Sequence, residues 1–167
     1  MKKDFLEPVQ LIAMIDYPPL HSPEAFAVYR EKLKLGTPVE PIIVVPLKTV
    51  VDHLSKNEAH YATYKEILDH FLADHSEVKY FMTGGKHRSA AATILGQKIH
   101  SYIIENEADV DEINSLINKG EITGVPPVSE NFIKTLDELE AHYFEHKRFW
   151  AMDEKTKAMI KNGDIIV

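Results

Sequence analysis

Two prolines bracket the run that most restricts this chain. Pro41 opens Ile42-Ile43-Val44-Val45 and Pro46 closes it. A short, fully apolar, β-branched run between helix-breaking residues predicts a buried strand. The flanking sequence predicts an alternation around it. Residues 9–15 form an apolar strand stopped by Asp16-Tyr17-Pro18-Pro19. Ser22-Pro23-Glu24 then opens a helix, with serine as cap, proline in the first helical position and an acid in the first turn. Gly36 stops that helix.

A helical turn over 47–54 and an aromatic-rich helix over 58–73 follow, the second marked by Tyr61, Tyr64, Ile67, Leu68, Phe71 and Leu72. Its aromatic residues have helical spacing, which assigns them to core packing rather than to stacking a base. Next come a strand over 78–82, an alanine-rich helix over 86–95 and a strand over 99–104. Asp109 is the expected cap of a helix that Gly120 closes. Gly124-Val125-Pro126-Pro127 is the clearest linker. Beyond it, Ser129 or Glu130 opens a long amphipathic helix to about residue 149, with Trp150 at its end as a packing anchor for the last helix or an interface residue. A last helix over 153–160 precedes a tail, residues 164–167, that suits an edge strand. The expected fold is a mixed α/β domain over residues 1–124, a small mixed sheet flanked by helices. A helical C-terminal extension over residues 125–167 packs on it.

Composition narrows the function. A chain of 167 residues is about one domain and buries enough surface to fold without staples. It is 44% hydrophobic and 27% charged, too apolar for disorder. It has no cysteine, which removes disulfides, thiolate metal sites and cysteine nucleophiles. No apolar run approaches the ~20 residues of a membrane span, and the run near the start is too short for a secretory leader. The expected location is cytoplasmic. Nineteen basic against 26 acidic residues give a net charge of −7, which weighs against a general phosphate-backbone binder.

One segment carries chemistry. The strand over 78–82 runs into Thr83-Gly84-Gly85 and then Lys86-His87-Arg88-Ser89-Ala90-Ala91-Ala92. Glycines admit close approach of a ligand to the backbone, and a helix N-terminus aims amides and partial positive charge at it. Basic side chains are unfavourable in a first helical turn, so three together suggest an anion. Lys86 offers a point charge, Arg88 a bidentate fork, and His87 a phosphate contact or a proton shuttle. Spacing alone leaves a second reading open: a plain strand-to-helix turn with solvated basic residues. The segment is neither a Walker loop nor the dinucleotide fingerprint.

Gly84-Gly85-Lys86-His87-Arg88, its alanine-rich helix, Leu95-Gly96, the strand over 99–104 and the proline-led strand before it resemble the ParB/sulfiredoxin-like superfamily. The likeness spans residues 9–119. It implies a nucleotide-phosphate loop formed by Gly84, Gly85, His87 and Arg88, with Lys86 and Ser89 beside them, and a ligand of ATP or CTP with magnesium. Members of that superfamily include ATP-using sulfiredoxins, segregation proteins that bind CTP and DNA, a kinase of free serine, and ParB-like nucleases. Lys86 stands where sulfiredoxins carry their cysteine, so their chemistry is excluded. Glu105-Asn106 lacks the arginine that follows in segregation proteins, and residues 128–167 are too few for their DNA reader. Asp16 and Glu24 are the counterparts offered for the serine kinase's base. The resemblance therefore implies nucleotide binding with phosphoryl transfer or hydrolysis; its alternative is a DNA-binding or nuclease-like accessory protein.

Other groups yield to simpler accounts. Glu24 is explained by the helix dipole alone, although a carboxylate there also suits a base or a magnesium ligand. His142 and His146 share a helix face, but a solvated flank explains them. His70 and His75 lie about 140° apart around a helix and do not face one ion. No protein-built metal site is expected, and the C-terminal helices offer a surface for a homodimer.

Overall fold

The computed structural model describes residues 1–15, 22–123 and 129–166. Asp16, the linker 124–127 and Val167 lie outside the described residues. Within them, seven α-helices surround one six-stranded mixed sheet, confirming the α/β class. The strands are β1 (Lys2–Leu6), β2 (Leu11–Ala13), β3 (Ile42–Pro46), β4 (Tyr80–Met82), β5 (Ile99–Ile103) and β6 (Trp150–Ala151), in the sheet order β1-β5-β3-β4-β2-β6. The pairs β2–β4 and β3–β5 are parallel; the other three are antiparallel. The helices are α1 (Pro23–Lys34), α2 (Leu47–Leu54), α3 (Glu58–Asp74), α4 (Lys86–Ile94), α5 (Glu107–Asn118), α6 (Phe132–His146) and α7 (Met152–Lys161).

β3 explains its own sequence. Ile43 and Val45 join a core with Tyr64, Leu68, Val110, Leu136 and Tyr143 from α3, α5 and α6. Ile42 and Val44 join a second core on the other face, with Phe26, Ala90, Ala91 and Met159 from α1, α4 and α7. Side chains alternate across a strand, so a sheet covered on both faces needs an unbroken apolar run at its centre.

Several boundaries differ from the sequence reading, each for a local reason. The strand expected over 9–15 is preceded by a 3-10 turn at Pro8–Gln10, because Gln10 Oε1 accepts from the Glu7 amide at 2.9 Å and closes a cap. α5 is capped by Asn106, whose side chain accepts from the Asp109 amide, not by Asp109 itself. Asn131 likewise caps α6 in place of Ser129 or Glu130. α6 ends early because Lys147 turns left-handed, with φ 49°, and the chain then enters β6. Trp150 is thus a strand residue, with the Arg148 guanidinium 4.0 Å above its ring. β6 takes the free edge of β2, and residues 164–166 form no strand; Ile165 packs into the second core instead.

The C-terminal part therefore completes the sheet. It also pins the end of β2. Tyr143 Oη donates to the Ala13 carbonyl at 3.0 Å, Lys155 Nζ donates to the Met14 carbonyl at 2.5 Å, and the Ile15 amide donates to His142 Nε2 at 3.0 Å. Removing only the hydroxyl, in Tyr143→Phe, should lower the unfolding free energy by about 1 kcal/mol in a urea titration, because the Ala13 carbonyl loses a buried donor. Among the described residues no helix is long and apolar enough to cross a membrane.

Candidate functional site

The Gly84–Ser89 segment sits where β4 ends, and three devices fix its shape. Thr83 anchors it first: its amide and its hydroxyl both donate to the Ile43 carbonyl, each at 3.1 Å. Gly85 then adopts φ 86° as the N-cap of α4. A Cβ on Gly85 would stand 2.4 Å from Ile42 Cγ2, so the turn lies directly on β3. Gly84 meets nothing within 4 Å of a built Cβ, so only the second glycine is required by contact. Lastly, Ser89, Ala90, Ala91 and Ala92 are buried, and their small size lets α4 lie close to the sheet and to α1.

Arg88 does not stand open as a fork. Its side chain is buried, and Nη1 donates to the carbonyls of Glu40 and Pro41 at 3.1 and 2.6 Å. The guanidinium carbon lies 5.9 Å from the centroid of the Tyr29 ring. Burial lowers its pKa from the ordinary value, and Tyr29 and Glu40 oppose that shift. It remains a cation at neutral pH. Arg88 thus clasps the entry of β3 to the first turn of α4. Lys86 and His87 are half-buried in the same turn.

His87 joins this turn to a second helix start. The Ser22 amide donates to His87 Nε2 at 3.3 Å, while Ser22 Oγ caps α1 by accepting from the Ala25 amide at 3.2 Å. A neutral His87 ring that accepts at Nε2 carries its proton on Nδ1. The N-termini of α1 and α4 therefore converge beside the C-terminal ends of the parallel strands β2 and β4. Glu24, exposed in the first turn of α1, lies two residues from Ser22. Asp16 precedes α1 in the sequence and lies outside the described residues.

Two buried polar atoms border the turn without a hydrogen-bond partner among the described residues, Ser89 Oγ and Glu40 Oε2. Glu40 was not legible as a site residue. It precedes Pro41, where the sequence signals only the start of a strand. Ser22 was legible as a helix cap but not as a neighbour of His87, 65 residues away.

No family model matches the chain, and no curated protein or solved structure matches it either.

Proposed function

We propose that this chain is a nucleotide-binding protein of ParB/sulfiredoxin-like type, and that the turn from Gly84 to Ser89 takes the phosphates of ATP or CTP. The supporting observation is the meeting of two helix N-termini at the Ser22–His87 hydrogen bond, beside the ends of a parallel strand pair. Ligands of open α/β sheets collect at the carboxyl ends of strands, and two converging helix dipoles favour an anion there. In this reading Lys86 supplies the point charge and the first-turn amides of α4 supply the cradle. Arg88 holds the cradle against β3, and its charge adds to the local positive potential.

Magnesium fits the same neighbourhood. The ion takes one or two carboxylates together with phosphate oxygens, and Glu40 Oε2 is a carboxylate oxygen with no other hydrogen bond. It would neutralise charge on the phosphates. The reaction class is phosphoryl transfer or nucleotide hydrolysis, in which a protein contributes positioning and charge stabilisation. In this reading His87, Glu24 and Asp16 are the candidates to hold or move a proton.

Calorimetric titration with ATP and with CTP, each with magnesium, tests this. The wild-type chain should bind one of them saturably. Lys86→Ala should weaken binding about tenfold, the loss of one charge-assisted contact. Absence of binding by the wild-type chain at millimolar nucleotide overturns the reading. A gel shift with duplex DNA that weakens steeply with salt, in place of nucleotide binding, assigns the cradle to a DNA phosphate instead.

A further inference from the structure

A second group of chemically capable side chains lies on the other face of the sheet, away from the phosphate turn. His53, near the end of α2, places Nε2 2.7 Å from Oδ1 of Asp137 on α6. Glu140 follows Asp137 by three positions and shares its helix face. One ligand atom from each of His53, Asp137 and Glu140 lies within 4.8 Å of the others. On α3, His60 brings Nδ1 to 3.6 Å from Glu140 Oε1, and its ring stacks on Phe144 with centroids 4.1 Å apart. Asn57 Nδ2 donates to the same Oε1 at 2.7 Å. A surface cleft bordered by Asn57, His60, Asp137, Glu140 and Phe144 gives solvent access to the group.

The charges in this group are unusual for a packing network. Glu140 is only 8% exposed. Among the described residues neither it nor Asp137 has a lysine or arginine within ion-pair distance; their basic neighbours are His60 and His53. Asp137 is exposed, but Glu140 is buried, and buried carboxylates are paired with a cation or coordinate a metal. A separate observation points the same way. The Tyr64 hydroxyl on α3 is buried with no hydrogen-bond partner among the described residues. It lies close enough to Glu140 to feel the charge of that carboxylate. Acidic oxygens, an imidazole nitrogen and an open cleft are the parts of a metal centre with one exchangeable position.

We propose that His53 Nε2, Asp137 and Glu140 bind a divalent transition-metal ion of the zinc class, with His60 beside Glu140 and the cleft side left to water. Imidazole in the set selects against magnesium and calcium, which prefer all-oxygen sites. The ion takes the place of the proton that now joins His53 to Asp137. His53 Nδ1 is buried with no acceptor among the described residues, so the ring lacks the outer hydrogen bond that stiffens most histidine ligands. Affinity should accordingly be micromolar rather than nanomolar. The site would tie α2 and α6 together over one core, independently of the phosphate turn.

The test uses the untagged full chain and zinc ion alone. Calorimetry should show one saturable site per chain, and cobalt substitution should give visible absorption bands. Asp137→Asn changes an exposed side chain and keeps its shape, so it should fold as the wild type does. It should weaken zinc binding at least about tenfold, since losing a ligand costs no less than losing an outer-shell partner. Glu140→Gln should do the same, and His146→Ala should bind as the wild type does. Three results overturn the proposal: no saturable binding by the wild-type chain, unchanged binding by both Asp137→Asn and Glu140→Gln, or loss of binding in His146→Ala.

Discussion

Gly85→Ala should lower the unfolding free energy by about 3 kcal/mol, one of the two largest single effects expected outside the deep core. Two separate costs combine. A side chain at φ 86° is strained by about 1–2 kcal/mol, because Cβ crowds the following carbonyl. The added methyl also stands 2.4 Å from Ile42 Cγ2, where overpacking costs about 1–3 kcal/mol. Ile42 is fully buried at the entry of β3 and has little room to give. Urea denaturation should show the loss directly, and the melting temperature should fall by roughly 6–12 °C for a chain of this length. Gly84→Ala is the control: it meets open space and should stay within about 0.5 kcal/mol of the wild type. Trimming the obstacle should rescue part of the loss. In Gly85→Ala/Ile42→Ala the 2.4 Å contact with Cγ2 is removed, while the 3.1 Å contact with Cβ and the backbone strain persist, so the two effects should be less than additive. Equal losses in Gly84→Ala and Gly85→Ala would refute this account of the turn.

Arg88→Met should cost a similar amount, about 3 kcal/mol, for a different reason. The substitution fills much of the same volume but removes the donors to the Glu40 and Pro41 carbonyls. Hydrogen bonds from a charged donor are each worth about 1.5–3 kcal/mol, and a buried carbonyl left without a donor adds to the loss. Arg88→Lys should recover only part of it, because a single ammonium on a flexible stem cannot reproduce the planar group that spans two successive carbonyls. The comparison with Lys86 separates holding from gripping. Lys86→Ala should lose nucleotide affinity with little change in stability, whereas Arg88→Met should lose stability first. An Arg88→Met protein as stable as the wild type would show that the guanidinium is not the clasp between α4 and β3.

That contrast also shows how far the sequence could be read. The strand at Ile42–Pro46 was plain because prolines mark both ends and no polar residue interrupts it. The helix starts at Pro23 and Lys86 were plain for local reasons too, a serine cap with proline in one and a diglycine break in the other. β1 leaves no signal in the sequence because it is an edge strand. Only Leu6 of its five residues is buried, and Lys2 and Lys3 face solvent, so it carries no apolar alternation. Charged edge residues of this kind also discourage pairing with another chain. β6 is two residues long and leaves no periodic trace. The basic cluster at 86–88 was visible as a group, but nothing local distinguishes an arginine that faces a ligand from one turned onto carbonyls 47 and 48 residues earlier. The His53–Asp137 pair spans 84 positions, beyond any spacing rule.

The pins on the end of β2 bear on the order in which the chain can assemble. The strand end that leads toward α1 is held by Tyr143, His142 and Lys155, at separations of 130, 127 and 141 residues. Closing loops that long is entropically costly and slow, so contacts of this kind form late. During synthesis β3, β4 and the Gly85 turn can come together while the chain is still growing, but Met14 at the end of β2 cannot be pinned before Lys155 has emerged. A nascent chain therefore carries the Gly85 turn well before the pins on β2 are in place. The end of β2 should become fixed only after Tyr143 and Lys155 have emerged, together with the sixth strand.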